Sequence, residues 1–552
     1  MNNKKNFLIG VVLIATLVGL FSFTNKGNNY FEIAKNLDIF ATLYKEVNKY
    51  YVDDVNPNHV MKVGIDAMLA SLDPYTNYIP EDQIEDFRTM TTGEYGGIGA
   101  IVGKRNDKNT VLMSYEGFPA HKSGLLIGDV IVKIDDIDLN NKSTDDVSQL
   151  LKGQANTPLS LTVKRYGKSE LLKINLKRER ISVDNVPFYG LVDETTAYIK
   201  LTDFTTGAGR EVENALIELK EKGAKQVILD LRGNPGGLLA EAVNVSNVFI
   251  PKGSKVVSTK GRIEEWNKTY NALNNPVDTE MPVVVLTNNR SASAAEIVAG
   301  VIQDYDRGVL VGQKTFGKGL VQATRPLTYN SQLKITTAKY YTPSGRCIQA
   351  IDYSHRNDSE IAVKFPDSLK AEFQTVNGRT VYDGGGIDPD VFVEPGIYAP
   401  ISISLAGKGL LFDFATSYYY SHPMIADARK FSLSDEEYQE FVVWLSDKDY
   451  DYTTKVENSL DELISNAKHE KYFDNISDQI QALRDKVKHN KEADLKTHKK
   501  EIKEMLEQEI VSRYYLQEGI VEASFNHDEE ILKAIDVLHN GEFYQKSLSS
   551  KL

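Results

Sequence analysis

Apolar residues change their spacing four times along this 552-residue chain, and each change predicts a different kind of element. Residues 7–23 form an uncharged run of seventeen, with Thr16 and Ser22 its ordinary polar interruptions. From Ile33 through Leu37, Ile39, Phe40, Leu43, Val47 and Tyr50, apolar positions recur at helical spacing. The pattern resumes at Val60 after the Asn56-Pro57-Asn58 break, so residues 30 to 90 read as mostly helical, with the aromatic stripe in a core. Between 93 and 180 the period shortens: Ile98 to Val102, Val111 to Met113, Val130 to Ile134 and Leu159 to Lys164 are strand-like, with helical patches at 120–124 and 143–152. From 181 to 400, strand-like runs at 196–201, 226–231 and 283–287 alternate with helical stretches at 207–222, 238–248 and 294–304. That is an α/β order. Beyond 401 the chain reads as helical and highly charged, with Tyr418-Tyr419-Tyr420 and Trp444 as local apolar clusters. The charges between Asp474 and Glu509 read as solvated helix faces, and no residue there decides between packing on the body, dimerising and binding an adaptor.

These period changes divide the chain into a signal or anchor segment (1–26), an N-terminal helical region (30–92), a strand-rich domain (93–180), an α/β core (181–400) and a C-terminal helical region (401–552). The length suits about three to four domains with ample core. A formal charge of −13 argues against a nucleic-acid partner, whose binding needs concentrated positive charge. Lys4 and Lys5 ahead of residues 7–23 read as an export signal. No clear small-x-small cleavage site follows and no cysteine offers a lipoprotein site, so an uncleaved anchor is favoured over a cleaved signal peptide. The basic flank keeps the N-terminus cytoplasmic and sends the rest to the periplasm or cell envelope, held at the inner membrane by residues 7–23. With Cys347 as the single cysteine, no internal disulfide can form.

Candidate chemistry concentrates between 283 and 322. The buried-strand run Val283-Val284-Val285-Leu286 precedes Ser291-Ala292-Ser293 and a helix beginning at Ala294, which places both serines at a strand-to-helix turn. Unpaired N–H groups at the positive end of that helix suit a developing oxyanion. A serine nucleophile needs a base, and a lysine kept neutral by desolvation can serve. Lys318, flanked by Gly317 and Gly319 in an otherwise strand-like segment, is the candidate. Gln322 lies four residues on, roughly 13 Å away along a regular strand, so contact between them requires a bend that the glycines permit. Taken alone, Ser-Ala-Ser at a helix start is an N-cap and Gly-Lys-Gly a surface turn.

Taken together, Ser291 to Glu296, Thr315 to Gln322 and Asp230-Leu231-Arg232-Gly233-Asn234-Pro235-Gly236-Gly237 resemble the carboxyl-terminal processing peptidases, or tail-specific proteases, of serine peptidase family S41. The resemblance implies that Ser293, rather than Ser291, is the nucleophile, that Lys318 is the general base and that Gln322 orients the lysine. It implies an oxyanion hole from the N–H of Ala294 and one from the Gly236-Gly237 turn, either glycine being open. Ser291 then becomes a cap or near-site structural serine, and Glu296 a solvated or structural helix residue. The implied fold is a multidomain α+β and α/β chain: a crotonase-like ββα peptidase core with an inserted PDZ domain, an N-terminal helical segment used for packing or homodimerisation, and a C-terminal helical region.

The 93–180 segment resembles a PDZ domain, with Gly96-Gly97-Ile98-Gly99 as its carboxylate-binding turn and the following strand open to a peptide by β-augmentation. Gly117-Phe118-Pro119-Ala120 and the run from Gly124 to Asp129 also match that family. Where relatives often read Leu-Arg-Gly after the second helix, this chain has Leu151-Lys152-Gly153, which keeps the charge without the bidentate fork. The runs 341–346 and 386–390 match further family motifs and read as scaffold turns.

Of nine histidines only His355 lies in the α/β core, within the loop-like polar run 352–358, so a Ser-His-Asp triad lacks a base. Neither His-Glu-x-x-His nor any other clustered metal-ligand spacing occurs, and no metal or cofactor is expected. The resulting expectation is a serine endopeptidase acting on exported protein or peptide substrates near a free C-terminus. The alternatives are a catalytically silent PDZ scaffold in the envelope and a non-peptidase crotonase-like hydrolase.

Overall fold

The computed structural model describes residues 30–356, 362–487 and 491–549. The expected export segment at 7–23 lies outside them, and among the described residues no helix is long and apolar enough to cross a membrane. The chain divides into two units. One holds the described residues up to Glu81 with Gln322–Thr336, the other Asp82–Val321 with the described residues from Thr337.

In the first unit a helix over residues 30–50 precedes a second, Pro57–Ala70, which Asn56 caps by accepting the His59 N–H. The aromatic stripe of the first helix was expected in a core, yet Tyr30, Phe31, Leu37, Leu43 and Tyr50 are exposed. Among the described residues of this unit, two helices and short strands supply no second layer against which that stripe could be buried. Asp73 accepts the N–H groups of Tyr75 and Thr76, and the strand that follows, Asn77–Ile79, pairs antiparallel with residues 332–334.

The second unit begins its PDZ-like part with β1 (Glu94–Gly97), β2 (Ala100–Arg105), β3 (Lys108–Ser114), α1 (Pro119–Lys122), β4 (Val130–Ile134), α2 (Thr144–Leu151), β5 (Pro158–Lys164), β6 (Leu172–Lys177) and β7 (Glu179–Ser182). The strands order β2-β3-β4-β5-β6, while β1 and β7 pair separately. Alternate residues of β5, Leu159, Leu161 and Val163, point into a core shared with Val111, Ile131 and Val147. A capping box between Ser143 and Asp146 starts α2, which runs beside the edge strand β2.

The α/β core follows: β8 (Phe188–Leu191), β9 (Thr196–Lys200), α3 (Ala208–Glu221), β10 (Gln226–Asp230), α4 (Leu239–Asn247), β11 (Lys255–Gly261), β12 (Val283–Thr287), α5 (Ala294–Asp304), β13 (Val309–Gly312) and β14 (Val391–Phe392). The sheet order is β8-β9-β10-β12-β13-β14, parallel from β9 onward. Every residue of β10, β12 and β13 is buried, because both faces are covered. Ala197, Ile199, Val227, Leu229, Val283 and Val285 face α3, α4 and α5. The alternate residues Tyr198, Ile228, Val284, Leu286, Val309 and Val311 face the chain's C-terminal helices.

Those helices include α6 (Leu410–Ser421), α7 (Lys499–Ser524), α8 (Glu529–His539) and α9 (Gly541–Ser547). Ile531, Val537 and Leu538 of α8 with Tyr544 of α9 close the second face of the sheet, so the C-terminal region packs on the body. It also meets the PDZ-like part: the guanidinium groups of Arg105 and Arg513 each lie 4.2 Å from the Phe412 ring centre, and Tyr166 stacks on Tyr420. Two local expectations are corrected. Lys318 lies in the loop before the strand Leu320–Pro326 rather than in a strand, and the polar run at 352–358 is a strand as far as Arg356 rather than a loop.

Candidate active site

The loops that leave β10, β12 and β13 emerge from one edge of the parallel sheet, where the carboxyl ends of strands collect functional residues. They carry Gly236-Gly237, Ser293 and Lys318 respectively.

Ser293 stands directly before α5 with φ +56, a left-handed value costing roughly 1–3 kcal/mol that persists only where surrounding contacts impose it. Its N–H donates to Glu296 Oε2 at 2.8 Å, and its carbonyl accepts the Tyr340 hydroxyl at 3.1 Å. Tyr340 is fully buried, and burial pushes its pKa well above the ordinary tyrosine value, which keeps the hydroxyl a donor. Ser291 is not the cap. Its hydroxyl is buried, donates to the Leu231 carbonyl at 2.8 Å and accepts the Asn288 N–H at 3.0 Å, tying the loop after β10 to the loop after β12.

Asn234 shapes the glycine turn. Its Nδ2 donates to the Leu201 carbonyl, its Oδ1 accepts the Gly236 N–H at 2.8 Å, and its carbonyl accepts the Ala292 N–H at 2.9 Å. Gly236, at φ +94, presses on the serine: a Cβ there would lie 2.7 Å from Ser293 Cβ and 2.8 Å from Ala294 N. The two glycines therefore differ. The Gly236 N–H is spent on Asn234, whereas no described residue accepts the Gly237 N–H. Ala294, first residue of α5, has no intrahelical acceptor for its own. Two backbone donors thus flank the turn that presents Ser293.

Glu296 joins this turn to the Lys318 loop. The side chain is fully buried; Oε1 accepts the Thr315 hydroxyl at 2.6 Å and the Gly317 N–H at 2.7 Å, while Oε2 accepts the Ser293 N–H and, at 2.9 Å, the Lys318 N–H. Burial pushes its pKa up to about 7, against the opposing pull of those four donors. Of the two places expected for it, a solvated or a structural helix position, Glu296 takes the structural one. The spacing Ser293-x-x-Glu296, that of a capping box, was the available signal. Gly317 (φ +88) brings the loop against residue 350: a Cβ on it would lie 2.5 Å from Ala350 Cβ.

Gln322 belongs to the first unit, where its Nε2 donates to Thr336 Oγ1 at 3.1 Å, and the Thr336 N–H donates to Thr76 Oγ1 at 3.2 Å. His355 lies on an exposed strand with its Nδ1 2.6 Å from Asp352 Oδ2. Among the described residues no cluster of three or more His, Cys, Asp or Glu could hold a metal.

In the PDZ-like part, Gly96 and Gly97 are strand residues paired with Arg180 and Glu179, so the bend narrows to Ile98 and Gly99 (φ +72). Ile98 is buried and its carbonyl accepts the Ala120 N–H. Beyond the bend, β2 pairs on one side with β3 and ends its sheet there. Lys152 forms an exposed ion pair with Asp86 at 2.7 Å.

Three family models match along the chain: "Peptidase family S41" over residues 195–355, "PDZ domain" over 111–165, and "Probable PDZ-protease, C-terminal helical domain" over 401–538. A carboxy-terminal-processing protease of Bartonella bacilliformis is 36% identical over 352 residues, covering 62% of this chain and 80% of the relative. A protein of Staphylococcus aureus named "Probable CtpA-like serine protease" is 36% identical over 351 residues, 62% of this chain and 69% of the relative. Among solved structures, a photosystem II D1 C-terminal processing protease is 26% identical, covering 65% of this chain and 93% of that one with a TM-score of 0.36. The chain belongs to the carboxy-terminal-processing serine proteases of peptidase family S41, with a PDZ domain and a C-terminal helical domain.

Proposed function

We infer that this endopeptidase cleaves exported proteins near their C-termini with a Ser293–Lys318 dyad. The observation that carries the reading is the strained Ser293 turn, with the Ala294 and Gly237 N–H groups left over beside it and Glu296 holding the Lys318 loop to the same turn. Lys318 removes the serine proton, Ser293 Oγ attacks the scissile carbonyl, and the two N–H groups receive the oxyanion before water releases the acyl-enzyme. Of the two candidate glycines this assigns the donor to Gly237, with Gly236 as the spacer that allows close approach. Gln322 orients the lysine, the role its place in the family motif implies.

The PDZ domain holds the substrate tail. Its β2 edge accepts the peptide as an added strand, and the bend at Ile98-Gly99, entered from Gly96-Gly97, faces the terminal carboxylate. Export rests on Lys4, Lys5 and the uncharged run 7–23, which put the protease in the periplasm or envelope with a membrane anchor. The exposed aromatic stripe of the 30–50 helix supports a homodimer contact there.

The test compares the full-length chain with Ser293→Ala and Lys318→Ala on an unfolded protein and on the same protein with an amidated C-terminus. Cleavage abolished in both variants and weakened by amidation is expected. Cleavage that survives Ser293→Ala, or is indifferent to amidation, overturns the dyad or the tail recognition respectively.

A further inference from the structure

At the edge of the sheet that carries the site, ions as well as apolar contacts join the C-terminal helices to the core. Asp230, at the end of β10, is fully buried and accepts the Tyr198 hydroxyl at 2.6 Å and the Arg232 guanidinium at 2.7 Å, with Lys200 Nζ 3.0 Å away. Burial opposes its charge, but the Arg232 and Lys200 cations hold its pKa well below the usual carboxylate range. Arg232 also reaches outward: Nη1 donates to both oxygens of Asp528 at 2.9 Å and to Glu530. Asp528 is the N-cap of α8, accepting the N–H groups of Glu530 and Ile531. Glu530 in turn accepts from Gln313 Nε2. Gln313 opens the Lys318 loop and is locked to the end of β12, its N–H on the Thr287 carbonyl and its own carbonyl on the Thr287 hydroxyl, both at 2.9 Å.

The start of α8 therefore touches the head of the glycine turn, at Arg232, and the head of the lysine loop, at Gln313. Apolar side chains already attach α8 to the sheet, and a partly buried ion cluster adds little stability over such contacts. What this cluster adds is direction, because each partner is held bidentately or from two sides.

We propose that Asp528 and Glu530 are positioning residues for peptide hydrolysis, setting the glycine turn and the Lys318 loop in register across Ser293. The inference rests on the dyad reading above. It makes the C-terminal helices part of the catalytic apparatus and predicts that events displacing α8 reduce turnover.

The test uses the full-length chain with Asp528→Asn, Glu530→Gln and Gln313→Met, which keep shape while removing charge or donor. Active sites are counted by completed labelling of Ser293 with a fluorophosphonate, and kcat and KM for a peptide with a free C-terminus are measured per labelled site. Positioning predicts kcat per labelled site lower by about ten- to a hundred-fold with KM little changed, since small misplacements of reacting groups cost on that order. The Asp528→Asn and Glu530→Gln effects should not add. A stabilising role alone would lower the melting temperature or the fraction labelled while leaving kcat per labelled site unchanged, and that result overturns the proposal. Should wild type itself fail to label at Ser293, the dyad reading fails instead, so the two failures are distinct.

Discussion

The backbone amides of Ser293 and Lys318, twenty-five positions apart, donate to one and the same oxygen, Oε2 of Glu296, at 2.8 and 2.9 Å. A single buried carboxylate thereby fixes the segment bearing Ser293 against the segment bearing Lys318.

Glu296→Gln keeps the shape but offers one acceptor oxygen where two served four donors. We expect a loss of about 1–3 kcal/mol in stability, the cost of leaving buried donors unpaired, and a fall in kcat. The pH dependence has a definite sign. Because burial raises the folded pKa to about 7, the folded carboxyl retains a proton that the unfolded chain has lost between the unfolded value and 7. That contribution is complete below the unfolded pKa and disappears as pH rises through 7. Glutamine lacks it, so the stability gap between wild type and Glu296→Gln, measured by urea denaturation, should narrow as pH rises from about 5 to 8. A gap that widens over this range would contradict the assignment.

Gly236→Ala meets two obstacles at once: φ +94, and a Cβ 2.7 Å from both Ser293 Cβ and the Ala292 carbonyl. Since the obstructing atoms are Ser293 Cβ and the backbone of its two neighbours, Ala292 and Ala294, relief must displace the serine. Steady-state kinetics should show kcat reduced by about a hundred-fold, the order expected for a misplacement near 1 Å, with peptide affinity retained. Near wild-type turnover would mean that the turn does not support the oxyanion.

Tyr340→Phe removes the hydroxyl that donates to the Ser293 carbonyl and leaves the buried ring in place. The expected cost is about 1 kcal/mol in stability, a typical net value for one hydrogen bond. A several-fold lower kcat with unchanged KM should accompany it, because relaxing φ at Ser293 moves Oγ.

Much of the site was legible because it is local. The run Val283 to Leu286, the helix from Ala294 and the turn Asp230 to Gly237 each carry their geometry in contiguous residues, and all three elements form where their patterns place them. What escaped depends on distant chain. Arg232 meets Asp528 across 296 positions, and on a charged helix an acidic N-cap looks like any solvated carboxylate. The second face of the sheet looked the same as the first, since a strand buried on both sides reads as a continuous apolar run and does not say what covers it. The helix over 30–50 shows the converse limit: its stripe is amphipathic, yet periodicity cannot tell a core from an exposed face awaiting a partner.

The most direct measurement is mass spectrometry of the full-length chain after reaction with a fluorophosphonate. One adduct on the peptide containing Ser293, absent in Ser293→Ala and formed much more slowly in Lys318→Ala and in acid, is the predicted result. An adduct at another serine, or labelling of Ser293 at the same rate without Lys318, would contradict a dyad in which that lysine is the base.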